Sequence, residues 1–109
     1  MTSEPLEGGV GPVLLVGPEA GAIVAAIRAT HPSVRVVDRG SYWRVSVPGG
    51  CRVTRAAIEA QLGQAFSLPS DLERVMPSFS GRLRLSADEA IWLDATWNEP
   101  GALPPERKR

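Results

Sequence analysis

Val34-Arg35-Val36-Val37-Asp38-Arg39-Gly40-Ser41-Tyr42-Trp43-Arg44-Val45-Ser46-Val47 is the stretch that decides the architecture. Val34 to Asp38 and Ser41 to Val47 read as two strands on either side of Arg39-Gly40, because β-branched and aromatic residues dominate both halves and glycine supplies the turn. In the second half Trp43, Val45 and Val47 fall on one face, while Tyr42, Arg44 and Ser46 fall on the other. One apolar and one wetter face is the mark of antiparallel sheet covered on a single side.

On the N-terminal side, Val10 to Val16 is a short apolar run around Pro12, fitting a buried strand with the proline near its start. Gly17-Pro18 breaks it. Glu19 to Thr30 then carries Ala20, Ile23, Val24 and Ile27 at helical spacing until Pro32 stops the helix. On the C-terminal side, Pro48-Gly49-Gly50 turns the chain into a strand, Cys51 to Val53. Thr54 caps a short helix with Ile58 and Leu62 on its inner side and Gly63 at its end. A second short helix is expected over Leu68 to Met76, with Pro69 in its tolerant first turn and Pro77 blocking extension. Arg82 to Ser86 and Ala90 to Thr96 alternate around a turn, so a hairpin is expected, with Leu83 and Leu85 facing the core alongside Ile91 and Leu93. The order β-α-β-β-β-α-α-β-β defines an α+β fold of mostly antiparallel sheet and about three helices. One domain is expected over residues 10–97, between a flexible lead-in (1–9) and a flexible, Pro-rich, basic-tipped tail (98–109).

The inventory argues against several classes of function. Twelve basic residues balance twelve acidic ones, so no field of one sign recruits nucleic acid or an anionic membrane. The apolar runs fall far short of the roughly 20 residues of a spanning helix, and Glu4 and Glu7 argue against a secretory leader. A single cysteine, Cys51, cannot form an internal disulfide, which fits a reducing cytoplasm; a small buried hydrophobe is its expected role. His31 is equally alone, at a helix end before Pro32.

Catalytic equipment is hard to find. The glycines at Gly8, Gly9 and Gly11 precede a strand instead of following one, and Gly17 to Gly21 lacks the glycine spacing and Lys-Ser/Thr of a nucleotide loop. Carboxylates are scattered, with Asp71 and Glu73 on different helix faces and Asp88-Glu89 in a turn. Trp43, Trp92 and Trp97 fit core or partner contact. No cofactor or metal is expected. A patterned but chemically bare chain is expected to work by touching another protein.

The pattern resembles the effector, or coupling, proteins of bacterial multicomponent soluble diiron monooxygenases, and within them the toluene and alkene monooxygenase branch. The residues that carry the resemblance are Val10-Gly11-Pro12-Val13, Asp38-Arg39 with Tyr42 and Arg44-Val45, Thr54-Arg55, Ile58-Glu59, Leu62-Gly63, Phe66, Leu72-Glu73, and Ser78-Phe79 with Gly81, in that order. It implies a cofactor-free, non-catalytic protein, monomeric when free. Such a protein docks on the diiron hydroxylase and works alongside a ferredoxin and an NADH reductase, so that electrons and O2 are coupled to hydrocarbon hydroxylation or epoxidation. Arg39, Tyr42, Ser78, Phe79 and Gly81, together with the N-terminal lead-in, are the expected partner-binding elements, since glycine-bearing polar loops beside aromatics suit adaptable contact. The alternative is that Tyr42 and Phe79 are core, Gly81 is a backbone necessity and Arg39 is a solvated turn residue. Two other readings stay open: a free-standing small-molecule-sensing α+β module, and a small enzyme built around His31 or the carboxylates.

Overall fold

The computed structural model describes residues 9–94. The elements are β1 (Gly11–Leu15), α1 (Pro18–Thr30), β2 (Arg35–Asp38), β3 (Tyr42–Ser46), β4 (Gly50–Thr54), α2 (Arg55–Leu62), α3 (Ser70–Val75), β5 (Ser78–Ser80), β6 (Arg82–Leu85) and β7 (Glu89–Leu93). The expected α+β order is present, with β5 as one additional short strand. The strands form a four-stranded sheet ordered β2-β3-β1-β5 and a three-stranded sheet ordered β4-β7-β6, and every pairing is antiparallel. The expected lead-in falls almost wholly outside the described residues, as do the C-terminal tail and the end of the expected last strand.

The β2–β3 hairpin forms as its alternation dictates. Asp38 Oδ1 accepts from the Gly40 N–H at 2.8 Å, and the Arg39 N–H donates to the Tyr42 carbonyl at 2.9 Å, closing the turn. Val45 and Val47 are buried and Trp43 packs against the core from the same face. Pro12 sits in β1, a strand with neighbours on both sides. Val10 bridges Val47 and Val13 pairs with Arg44, so the register is the same on both sides of an interruption, and the residue without an N–H falls inside it.

Local caps explain the helices. Thr54 Oγ1 accepts from the Ala57 N–H at 3.1 Å to start α2, and Gly63 ends it with φ of 81°. Glu59 Oε2 then accepts from the Phe66 N–H at 2.9 Å, which holds the following loop so that Phe66 is buried. The last helix is shorter than expected, beginning at Ser70 with Pro69 at its cap. Asp71 ties its start, accepting from the Ser67 N–H at 2.8 Å and from Arg74 at 2.9 Å; these bonds hold the carboxyl below the usual carboxylate range.

The core fills the space between the sheets and helices, with Leu14, Ile23, Ile27, Ile58, Phe66, Leu72 and Trp92 its largest apolar members. One expectation about β7 is corrected. Leu83 pairs with Trp92 and Leu85 with Ala90, so Trp92 and Ala90 share the core face, whereas Ile91 takes the opposite face beside Arg84. Leu93, opposite Arg82, shares that second face and is nonetheless buried, as expected. Ala90-Ile91-Trp92-Leu93 is apolar at every position, so the sequence offered no contrast from which to assign faces.

Candidate docking face

Pairing fixes what the four-stranded sheet shows to the outside. Val13 lies opposite Arg44 and Leu15 opposite Tyr42, Val37 lies opposite Arg44 from the other side, and Arg35 lies opposite Ser46. Ser78 lies opposite Val13. Directly opposed residues share a face, so these side chains point the same way. The reverse face, through Leu14 and Val45, enters the core. The outward face is unusually apolar for exposed surface: Leu15 is 45%, Val37 40% and Tyr42 37% exposed. At its β1–β5 end a shallow groove of about 400 Å³ runs between Val13, Leu15, Tyr42, Arg44, Pro77, Ser78 and Ser80.

This geometry sorts the residues expected from sequence. Tyr42 and Ser78 are far apart in the chain and line one groove. Arg39 flanks it, exposed in the hairpin turn. Phe79 lies opposite Pro12, hence on the reverse side of the edge strand β5, where it is 42% exposed. Gly81 has φ of 96°, and a Cβ there would stand 2.6 Å from the Leu93 carbonyl oxygen and 2.7 Å from Val10 Cγ1. Its role is to let β5 and β6 pass the core, and no other residue fits. Val13, Leu15, Val37 and Arg44 are not among the partner-binding residues expected from sequence. For Val13 and Leu15 the unbroken apolar run Val13 to Val16 hid the period; for Arg44 and Val37 the alternation of the strand pair was the available signal.

Electrostatics distinguishes this face. The salt bridges of Arg52 with Glu89, Arg55 with Asp88 and Arg74 with Asp71 all lie elsewhere. Asp38 belongs to the inward set, opposite Trp43. The outward positions paired above therefore carry arginine and no carboxylate.

A second cleft, of about 480 Å³, lies on the other sheet between His31, Gly49, Gly50, Cys51, Arg52, Ile91 and Leu93. His31 Nε2 accepts from the Arg52 N–H at 3.3 Å, which assigns the ring proton to Nδ1, where it is donated to the Ile27 carbonyl at 3.0 Å, with Thr30 Oγ1 2.9 Å from the same nitrogen. Both ring nitrogens are spoken for, and the imidazole fastens α1 to β4. Burial pushes the Cys51 thiol up to about 12, which removes it as a nucleophile near neutral pH. Among the described residues no three His, Cys, Asp or Glu side chains gather to hold a metal, and no helix is long and apolar enough to cross a membrane.

By class this is a small α+β domain with an exposed apolar sheet face and an adjoining groove. Its family follows from its sequence: residues 9–94 match the MmoB/DmpM family, and the chain belongs to it. It is 42% identical over 85 residues to the effector subunit of the alkene monooxygenase system of Xanthobacter autotrophicus, a match covering 76% of this chain and 83% of that protein. In fold it is similar to a chain of the phenol hydroxylase–regulatory protein complex, with a TM-score of 0.69 at 16% identity, covering 83% of this chain and 98% of that one. It is also similar to the soluble methane monooxygenase regulatory protein B, with a TM-score of 0.63 at 24% identity, covering 88% of this chain and 70% of that one. These relatives are named as effector or regulatory proteins, not as catalytic components.

Proposed function

We propose that this protein is the effector of a multicomponent hydrocarbon monooxygenase of the toluene/alkene type, acting by docking on the diiron hydroxylase. The observation that carries this reading is the 42% identity to an alkene monooxygenase effector over 85 residues, 76% of this chain. The exposed apolar sheet face gives the chain a surface suited to such a partner. Tyr42 and Ser78 contact the hydroxylase in the groove, Arg39 does so from the hairpin, and Phe79 touches it over the edge of β5. Gly81 contributes by shaping the β5–β6 corner.

The effector supplies no reacting group. It alters catalysis through differential affinity: whatever factor separates its affinities for two hydroxylase states is the factor by which it shifts their populations. A preference of about 100-fold, roughly 2.7 kcal/mol, is enough to convert a minor state of about 1% into half of the population. In the favoured state NADH-derived electrons, delivered through reductase and ferredoxin, are coupled to hydroxylation or epoxidation. The effector is cytoplasmic and monomeric when free. Light scattering coupled to gel filtration tests the docking step. Co-elution with purified hydroxylase near one effector per active site is expected, and separate elution at tens of micromolar would overturn the reading.

The cleft beside His31 is the feature a small-molecule sensor would use. Saturable binding of an aromatic or alkene by the isolated protein, without hydroxylase affinity, would favour that second reading.

A further inference from the structure

We propose that the outward face of the four-stranded sheet recognises an acidic surface of its protein partner, with Arg44 as the central anchor that takes a partner carboxylate. The inference rests on the effector reading and adds the chemistry of recognition. Arg44 occupies the middle of the face: it lies opposite Val13 of β1 and Val37 of β2, and it lines the groove that Leu15 and Tyr42 also border. It is only partly exposed and makes no ion pair among the described residues. Arg35 on the same face and Arg39 in the adjoining turn are likewise without an ion-pair partner among those residues.

This distribution is not what general solvation requires. The chain as a whole carries no net charge, yet one face combines cations with large apolar residues and omits carboxylates. Arginine is suited to this setting. Its guanidinium is weakly hydrated and planar, and it holds a carboxylate through two parallel hydrogen bonds. Valines on both sides and Tyr42 at the rim exclude water once a partner covers them, which strengthens the pair. Arg35 and Arg39 remain at the rim, where charges act on encounter rate and salt dependence more than on final affinity. The apolar residues between the cations favour a protein partner over a polyphosphate, which would need cations along its whole track.

The test is the dissociation constant of the full chain for its purified hydroxylase, measured by calorimetry at 50, 150 and 500 mM NaCl, with thermal melts of each variant. Arg44→Glu is expected to weaken binding by roughly 30-fold or more, as for the loss of one partner of a desolvated charge pair. Arg35→Glu with Arg39→Glu is expected to weaken binding mainly at 50 mM NaCl and to flatten the salt dependence. Arg55→Glu changes the charge equally on α2, away from the face, and should bind within about threefold of wild type. If Arg44→Glu does not fold, Arg44→Gln takes its place, with an expected loss of about tenfold. Wild-type affinity within threefold for a folded Arg44 variant, with coupling intact, would overturn the acidic-surface proposal and leave the effector reading standing. Tight binding of duplex DNA at 150 mM NaCl with no hydroxylase binding would overturn both.

Discussion

Replacing Gly81 by alanine tests whether this residue, one of those expected to bind a partner, serves contact or backbone. Its φ of 96° lies in the left-handed region, which costs an L-residue about 1–2 kcal/mol. The new methyl would also stand 2.6 Å from the Leu93 carbonyl oxygen and 2.8 Å from Val10 Cβ. Neither neighbour can swing aside: Leu93 O is backbone at the end of β7, and Val10 is buried and bonded through its backbone to Val47. Relieving such overpacking costs about 1–3 kcal/mol. Gly81→Ala should therefore lose roughly 2–5 kcal/mol, a large share of the 5–15 kcal/mol typical of a domain, and melt about 10 °C or more below wild type. Gly40→Ala provides the control, because Gly40 has φ of 92° but open space where its Cβ would go. It should lose about 1–2 kcal/mol. Urea denaturation at 25 °C measures both. A Gly81→Ala loss below 0.5 kcal/mol, or one equal to that of Gly40→Ala, would refute the steric argument, the smaller figure being the usual size of a neutral surface change.

Three further outcomes follow from the geometry. Because burial raises the Cys51 thiol from its ordinary value of 9.0 to about 12, the unfolded chain loses this proton first; stability is full below pH 9 and declines as pH rises from about 9 towards 12. The wild type should lose stability more steeply than Cys51→Ala between pH 9 and 10.5, by up to about 1.4 kcal/mol per pH unit, measured by denaturant melts at each pH. His31→Ala removes the bonds to Ile27 and Arg52 and should cost about 1–2 kcal/mol of stability, again by denaturant melts, while product yield per NADH stays unchanged. Tyr42→Ala should weaken hydroxylase binding about tenfold by calorimetry, as for a moderate aromatic hot spot, and Phe79→Ala at the strand edge should weaken it less.

The parts of the fold that announce themselves are those where polarity alternates or a cap dictates conformation. Tyr42 to Val47 assigns its own faces, and Thr54 and Gly63 bound α2 from sequence alone. Apolar continuity erases that information, which is why the faces of Val13 to Leu15 and of Ala90 to Leu93 needed the register to settle them. The strand Ser78–Ser80 is too short for a period, and its identity as a strand depends on β1, more than sixty residues away in the chain. The groove is invisible for the same reason: Tyr42 and Ser78 could be suspected separately as loop residues, but their meeting is a property of strand order. Arg44 was read as one member of a polar face. Its significance comes from the valines that flank it on both neighbouring strands, which alternation within one strand does not reveal.

The most direct measurement of the central claim is a titration of this protein into its purified hydroxylase, ferredoxin and reductase, following NADH consumption and oxygenated product together. The account predicts faster turnover and a rising ratio of product to NADH, saturating near one effector per active site. An active mixture in which neither quantity responds to added protein would contradict it.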